Sequence, residues 1–443
     1  GSWGYGERIP ETAFALIFLV RGRDPVLANK LQFTGRWNAR PRDLANFTRF
    51  VGHEFERPVS WQIVRADVDA DDLDDAPLLY LSGAGPIELT DAEISALRRF
   101  ALRGGLIVSE AACNNGSFTL DMQKLYARIF PEFPLRRLRD DHPVYSANFK
   151  VKDFAGLSGV SNGVRLLAVH SPRELSLALQ LGPDATQRPI FEVMANLYMF
   201  ATDKGHLRSR GARSWPAEET TKPVATIRLA RIKHKGNCDP EPLAFDRLAR
   251  ILARDRRVRL VVSEPMDPTA LDASQWPVAH MTGTEAFTLS EAESAGLREY
   301  LAAGGTILSD AAGGSESFAE SVRKQVLPLA GGQFGGTLSS QHPVYRRPFA
   351  IEKVAYRRTL ALALGEGKTT PRLHGEQLGG RIAVFFSPDD LTAGLVGYPQ
   401  LGLRGYSPQS AVELMTNMLF YAARVGPRAE EEVVTEIRIL PVK

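Results

Sequence analysis

The sequence predicts an α/β protein made of two tandem doubly wound parallel-sheet domains. Three observations carry that prediction. One stretch is written twice: residues 82–118 (SGAGPIELTDAEISALRRFALRGGLIVSEAACNNGSF) and 282–318 (TGTEAFTLSEAESAGLREYLAAGGTILSDAAGGSESF) match without a gap at a spacing of 200, with 14 of 37 positions identical. The same register brings His142-Pro143-Val144-Tyr145 onto His342-Pro343-Val344-Tyr345. Within each copy, short apolar runs alternate with segments of helical periodicity, the pattern of right-handed crossovers around a parallel sheet.

Taken in order, residues 13–21 (AFALIFLVR) read as a strand and 30–34 as a second. Asn38 then reads as the N-cap of a helix carrying Leu44, Phe47, Phe50 and Val51. The second copy repeats this with a strand at 224–232 and a helix capped by Asp239, Pro240 lying in its first turn. Strands follow at 60–64 and 77–82, matched by 258–263 and 277–282. The repeated helices open on Thr90-Asp91-Ala92-Glu93 and Ser290-Glu291-Ala292-Glu293, both capping boxes, and end at Gly104 and Gly304. The apolar runs 106–109 and 306–309 are central strands, and Ser117 and Ser317 begin the next helices. Late in each copy a strand (164–169, 382–386) runs into a Ser-Pro step, and a closing helix follows at 190–202 and 410–424. These signals divide the chain into a lead-in at 1–27, a first copy at 28–205, a polar linker at 206–222, a second copy at 223–426 and a strand-like tail at 427–443. A duplicated domain often keeps its ancestor's dimer contact, so a pseudo-dimer is expected; two beads on a flexible linker in small-angle scattering would contradict it.

Composition excludes several classes. Lys and Arg number 54 against 51 Asp and Glu, and this near balance gives no footprint for nucleic acid. Cys113 and Cys238 are too few for a disulfide framework and lack metal-ligand spacing. The apolar run 13–20 is too short to cross a bilayer. The chain starts Gly1-Ser2, which reads as a trimmed start; a signal or anchor is therefore open, and the compartment, cytoplasmic or exported, stays open with it. The expected partner is a protein or a small ligand, with a homo-oligomer allowed and no cofactor called for.

The order Gly-x-Trp-Asn, strand-Ser/Thr-Gly, Leu-Thr/Ser-x-x-Glu, Gly-Gly-x-Ile, Ser-Glu/Asp, Ser-Phe, His-Pro-x-Tyr and Ser-Pro resembles the bacterial domain of unknown function 4159, over residues 28–203 and 223–425. The resemblance implies a flavodoxin-like fold in the class I glutamine-amidotransferase-like superfamily. That superfamily's active members place a Cys nucleophile on the turn after a central strand, with His-x-Glu downstream. Here Glu110 and Asp310 stand at that turn, Cys113 lies three residues later, and His374-Gly375-Glu376 precedes its strand. Amidotransferase chemistry is not expected.

In an open parallel sheet, ligands sit beyond the carboxyl ends of the strands. That edge should carry Arg36, Trp37, Asn38, Ser82, Gly83, Ser109, Glu110, His170 and Ser171 in the first copy. In the second it should carry Asn237, Cys238, Asp239, Thr282, Gly283, Ser309, Asp310, Ser387 and Asp389. Two readings of the acids compete. Glu110 with His142, and Asp310 with His342, could pair as carboxylate and imidazole for general base catalysis. Alternatively the His-Pro turn packs locally and each acid binds the amides of the next helix. The acidic run Asp67–Asp75 breaks the calcium-loop pattern at Asp72 and Leu78 and reads as a solvated loop. Because the copies disagree at nearly every position that chemistry would need, the favoured function is a non-catalytic binding or assembly protein. The alternative is a hydrolase-like enzyme using a carboxylate–His pair in one copy.

Overall fold

The computed structural model describes residues 12–16, 22–151, 154, 156–213, 215–331, 336–365 and 367–425. Residues 12–16 are helical, not the strand expected over 13–21, whose remainder lies outside the described residues, as does the expected strand in the tail. The chain forms two compact units, the first from residues up to 161 with 166–214 and 399–401, the second from 162–165, 215–398 and 402 onward.

In the first unit, chain order is β1 (Val26–Gln32), α1 (Asp43–Glu54), β2 (Ser60–Arg65), α2 (Ala70–Leu73), β3 (Leu78–Gly83), α3 (Asp91–Leu102), β4 (Leu106–Ala111), α4 (Gly116–Ile129), β5 (Arg136–Arg137), β6 (Ser158–Ser161), β7 (Leu166–Ser171), α5 (Ser176–Leu181) and α6 (Arg188–Ala201). The sheet order is β2-β1-β3-β4-β7-β6-β5, whose first five strands are parallel in the 2-1-3-4-5 order of flavodoxin-like folds. All of β4 is buried. Its alternate residues feed two cores, Leu106 and Val108 on one face and Ile107 and Ala111 on the other.

The second unit runs β8 (Ala225–Ile232), α7 (Ala244–Arg256), β9 (Val258–Met266), β10 (Val278–Gly283), α8 (Glu291–Ala302), β11 (Thr306–Ala311), α9 (Glu316–Gln325), α10 (Arg358–Leu364), β12 (His374–Leu378), β13 (Arg381–Ser387), α11 (Thr392–Val396) and α12 (Pro408–Ala422). Its order, β12-β13-β11-β10-β8-β9, repeats the same parallel five. Trp215, inside the expected linker, is buried in this unit's core.

Three details depart from the sequence reading. The sheets are mixed, since β6 and β12 run antiparallel to β7 and β13. The β12–β13 turn is Gly379-Gly380, both at positive φ, a hairpin connection too short for a crossover. Asn38 and Asp239 are not helix caps, because α1 and α7 begin at Asp43 and Ala244. The caps of α4 and α9 are Asn115 and Ser315, two residues before the serines expected. Both capping boxes, at Thr90–Glu93 and Ser290–Glu293, are present.

Candidate functional site

Glu110 and Asp310 end the central strands β4 and β11 and are fully buried. A buried carboxylate must find donors, and both find them in the short helix after the Ser-Pro step. Glu110 accepts from the Ser82 hydroxyl and, at 2.9 Å, from the Leu175 amide. Asp310 Oδ2 accepts from the amides of Leu391 (2.9 Å) and Thr392 (3.0 Å), and Oδ1 from the Thr392 hydroxyl (2.8 Å). Burial raises the Glu110 pKa against the pull of Ser82, Leu175 and Ser176. Burial also opposes ionisation of Asp310, but the imidazole of His280 and the two amides hold its pKa below the usual value.

The pairing of these acids with His142 and His342 is corrected. Each imidazole accepts from the amide of its own turn, Val144 or Val344, both at 3.2 Å. Their rings pack on Phe200 and Tyr421, in the last turns of α6 and α12. Those helices run back against the strands, so their last turns lie at the amino edge of the sheet, away from the carboxylates. No hydrogen bond joins Glu110 to His142 or Asp310 to His342 among the described residues. The imidazole at Asp310 is instead His280, whose Nε2 lies 2.8 Å from Oδ1; it is 3% exposed and packed edge-on by Phe245.

The remaining expected residues are placed as follows. Ser82 is spent on Glu110, while Thr282 donates to the Asp310 carbonyl at 2.9 Å. At Gly83 a Cβ would stand 2.0 Å from the Phe118 ring, and at Gly283 it would meet the Gly236 carbonyl, His234 and Phe318. Aromatic rings therefore fill the strand ends. Ser109 shares bonds with Tyr126 (2.7 Å) and His170 Nδ1 (2.8 Å), a polar chain under the first sheet. In the second copy Val326 and Phe386 replace those partners, and the Ser309 hydroxyl is buried without one among the described residues. Asn38 accepts from Lys30 at 2.9 Å, and the same buried ammonium is held by Asp43 at 2.7 Å. Asp239 pairs with Arg231 at 2.6 Å, and burial pushes it up to about 6. Ser171 and Ser387 close their own turns, donating to the carbonyls of Arg173 and Asp389. Trp37 is half-buried beside a shallow hollow of about 350 Å³ formed by Gly35–Ala39 with the exposed Arg36.

In the second unit the space beyond the strands is occupied by the unit's own segment 162–165. Asn162 donates to the Pro240 carbonyl and to Glu241, and Arg165 lies 2.9 Å from Glu241, which also accepts from Tyr398 at 2.8 Å. Asn237 donates to the Asn162 carbonyl and to Thr284. Cys113 is exposed in the turn after β4 at φ 56, and its counterpart Gly313 has φ 64. The turn demands a left-handed residue there in both copies; the thiol is not shared. Among the described residues no His, Cys, Asp and Glu cluster could hold a metal ion.

Sequence reasoning missed the helix that the carboxylates hold. Ser-Pro-Arg-Glu-Leu-Ser at 171–176 recurs as Ser-Pro-Asp-Asp-Leu-Thr at 387–392, but at a spacing of 216, outside the 200-residue register. That repeat was the available signal. It also carries Glu174, paired with Arg40 at 3.0 Å, and Asp390, fully buried and accepting from the amides of Gly313 and Ala393.

The fold and site thus define a duplicated doubly wound α/β protein whose two strand-end acids are closed over by the chain. The chain belongs to the family of the domain of unknown function (DUF4159), which matches residues 27–207 and 228–423. No curated protein matches it. Among solved structures it is similar to a ThuA-like protein from Bacteroides uniformis, at 12% identity and TM-score 0.25 over 47% of this chain and 95% of that one. A phosphosugar isomerase-like structure from Silicibacter pomeroyi (11%, TM-score 0.16, 67% and 78%) and an arabinose-binding protein from Geobacillus stearothermophilus (12%, 0.14, 68% and 79%) also align. At these scores the fold rests on the strand order rather than on the likenesses.

Proposed function

We propose that the chain is a non-catalytic binding or assembly protein, built from two amidotransferase-like domains that lack the nucleophile. The superfamily placement is supported by the 2-1-3-4-5 strand order in both units and by a tight left-handed turn after each central strand. One observation carries the functional reading: both strand-end carboxylates are fully buried and engaged by the turn they fasten and by a side chain of the neighbouring strand, Ser82 or His280. An acid in that state can neither reach a substrate nor accept its proton. Open ground for a ligand or partner lies in the first unit's hollow at Gly35–Ala39, with Arg36 and Trp37 on its wall.

The second reading, a hydrolase-like enzyme, is favoured by the 2.8 Å contact of His280 with Asp310. A carboxylate-oriented imidazole is the arrangement a general base needs. Its burial under Phe245 and the Thr392 cap argues for structure instead. The test is turnover of glutamine and of activated ester and amide substrates by the wild-type chain and by Glu110→Gln, Asp310→Asn and His280→Gln. The binding reading expects no turnover above buffer in any of them. A wild-type rate lost in a folded variant would replace it with the enzyme.

A further inference from the structure

The geometry points to a second ligand site in the second unit, a groove at the amino edge of its sheet that takes a small organic anion, a phosphate or carboxylate carried on an apolar body. The groove holds about 390 Å³, within the range of small-molecule sites, and lies between residues 218–223 and the end of α7 with the start of β9. Its floor is apolar: Ala249, Ala253, Val258 and Leu260.

The wall charges do not cancel: Arg250, Arg257 and Arg259 stand against Glu218 and Glu219, which leaves one positive charge. Glu218 is taken by Arg250 at 2.9 Å, and Glu219 is turned onto the amide and hydroxyl of Thr221. Two guanidinium groups are left. Among the described residues the Arg257 side chain reaches only the Lys222 carbonyl, at 3.4 Å, and its buried Nε–H has no acceptor. Arg259, exposed on β9, makes no hydrogen bond or ion pair among the described residues. The Nε–H is closed to a ligand as well as to water, so an acceptor from outside the chain meets the exposed guanidinium of Arg259 and the groove-lining end of Arg257. The negative end of α7 accounts for basic residues gathering there, but its half charge offers the Arg259 guanidinium no paired acceptor. An oxyanion supplies that acceptor, since a guanidinium offers it paired donors.

The test is calorimetric titration of the whole chain with phenyl phosphate and, separately, inorganic phosphate. Saturable one-to-one binding of phenyl phosphate is expected, tighter than that of inorganic phosphate. Arg259→Gln, on an exposed strand position that leaves folding intact, should weaken it about tenfold, and Arg257→Gln with Arg259→Gln further. Arg254→Gln, outside the groove and already paired with Asp255, should leave it unchanged. Absence of saturation, equal affinity for the two phosphates, full affinity in Arg259→Gln, or an equal loss in Arg254→Gln would each overturn the site.

Discussion

His280 Nε2 donates to Asp310 Oδ1 across 2.8 Å, and the same register in the first unit sets Tyr80 beside Glu110. The two copies settle one buried carboxylate in two ways. Glutamate, longer by a methylene, reaches the hydroxyl of Ser82 on the neighbouring strand. Aspartate stops short, Thr282 turns to the Asp310 carbonyl, and an imidazole two residues earlier on the same face takes the carboxylate. Tyr80 is left with a buried hydroxyl whose pKa burial, and then Glu110, holds well above its usual value.

Replacing His280 by Phe removes a charge-assisted donor from a fully buried acid while keeping a ring for Phe245 to pack on. The expected cost is about 1.5–3 kcal/mol of unfolding free energy, read by chemical denaturation. A loss within error would mean that the Thr392 cap alone satisfies Asp310.

His170 gives a pH signature to the first unit. Burial pushes its pKa down to about 4, whereas an imidazole in the unfolded chain titrates near 6.5. Its contribution is therefore complete above about pH 6.5 and is lost as pH falls toward about 4, up to ~3 kcal/mol. His170→Phe, the residue the second copy uses, should flatten the stability profile over that window. An unchanged profile would show that the ring accepts a proton in the folded state.

Asp390 works in the opposite direction. Burial first, and the charge of Asp310 second, raise it to about 7, while Arg357 and the Gly313 amide pull it down and Glu241 adds to the rise. Folded protein holds this proton up to about pH 7, but the unfolded chain releases it near 4. Stability is full below about 4 and declines as pH rises through about 7. Asp390→Asn should abolish that slope between about pH 4 and 7; a retained slope would assign it to another group.

Gly83 tests whether the first strand end is closed. Alanine there drives a Cβ to 2.0 Å from the Phe118 ring, which is fully buried. A loss of about 1–3 kcal/mol is expected, relieved when Phe118→Leu is added. A neutral Gly83→Ala would show an open crevice.

Much of this architecture could be read from residues alone. The capping boxes at Thr90 and Ser290 have a local chemistry, and the runs at 106–109 and 306–309 are apolar because both faces of those strands are covered. The antiparallel strands were illegible: β5 is Arg136-Arg137 and β6 is Ser-Gly-Val-Ser, too short and polar to show a period. The partners of Glu110 and Asp310 were hidden for another reason. Nothing in the sequence tells which edge of the sheet the His142 turn meets, and the true partners follow an insertion that breaks the 200-residue register. His280 read only as part of an apolar strand.

The central claim is that each strand-end carboxylate pins the helix after the Ser-Pro step, and amide hydrogen exchange at Leu391 and Thr392 tests it most directly. Both amides donate to Asp310 Oδ2. They should exchange slowly in the wild-type chain and roughly a hundredfold faster in Asp310→Ala, the core of β11 staying protected. Fast exchange in the wild type, or the same protection in Asp310→Ala, would contradict the account and leave Asp310 free for chemistry.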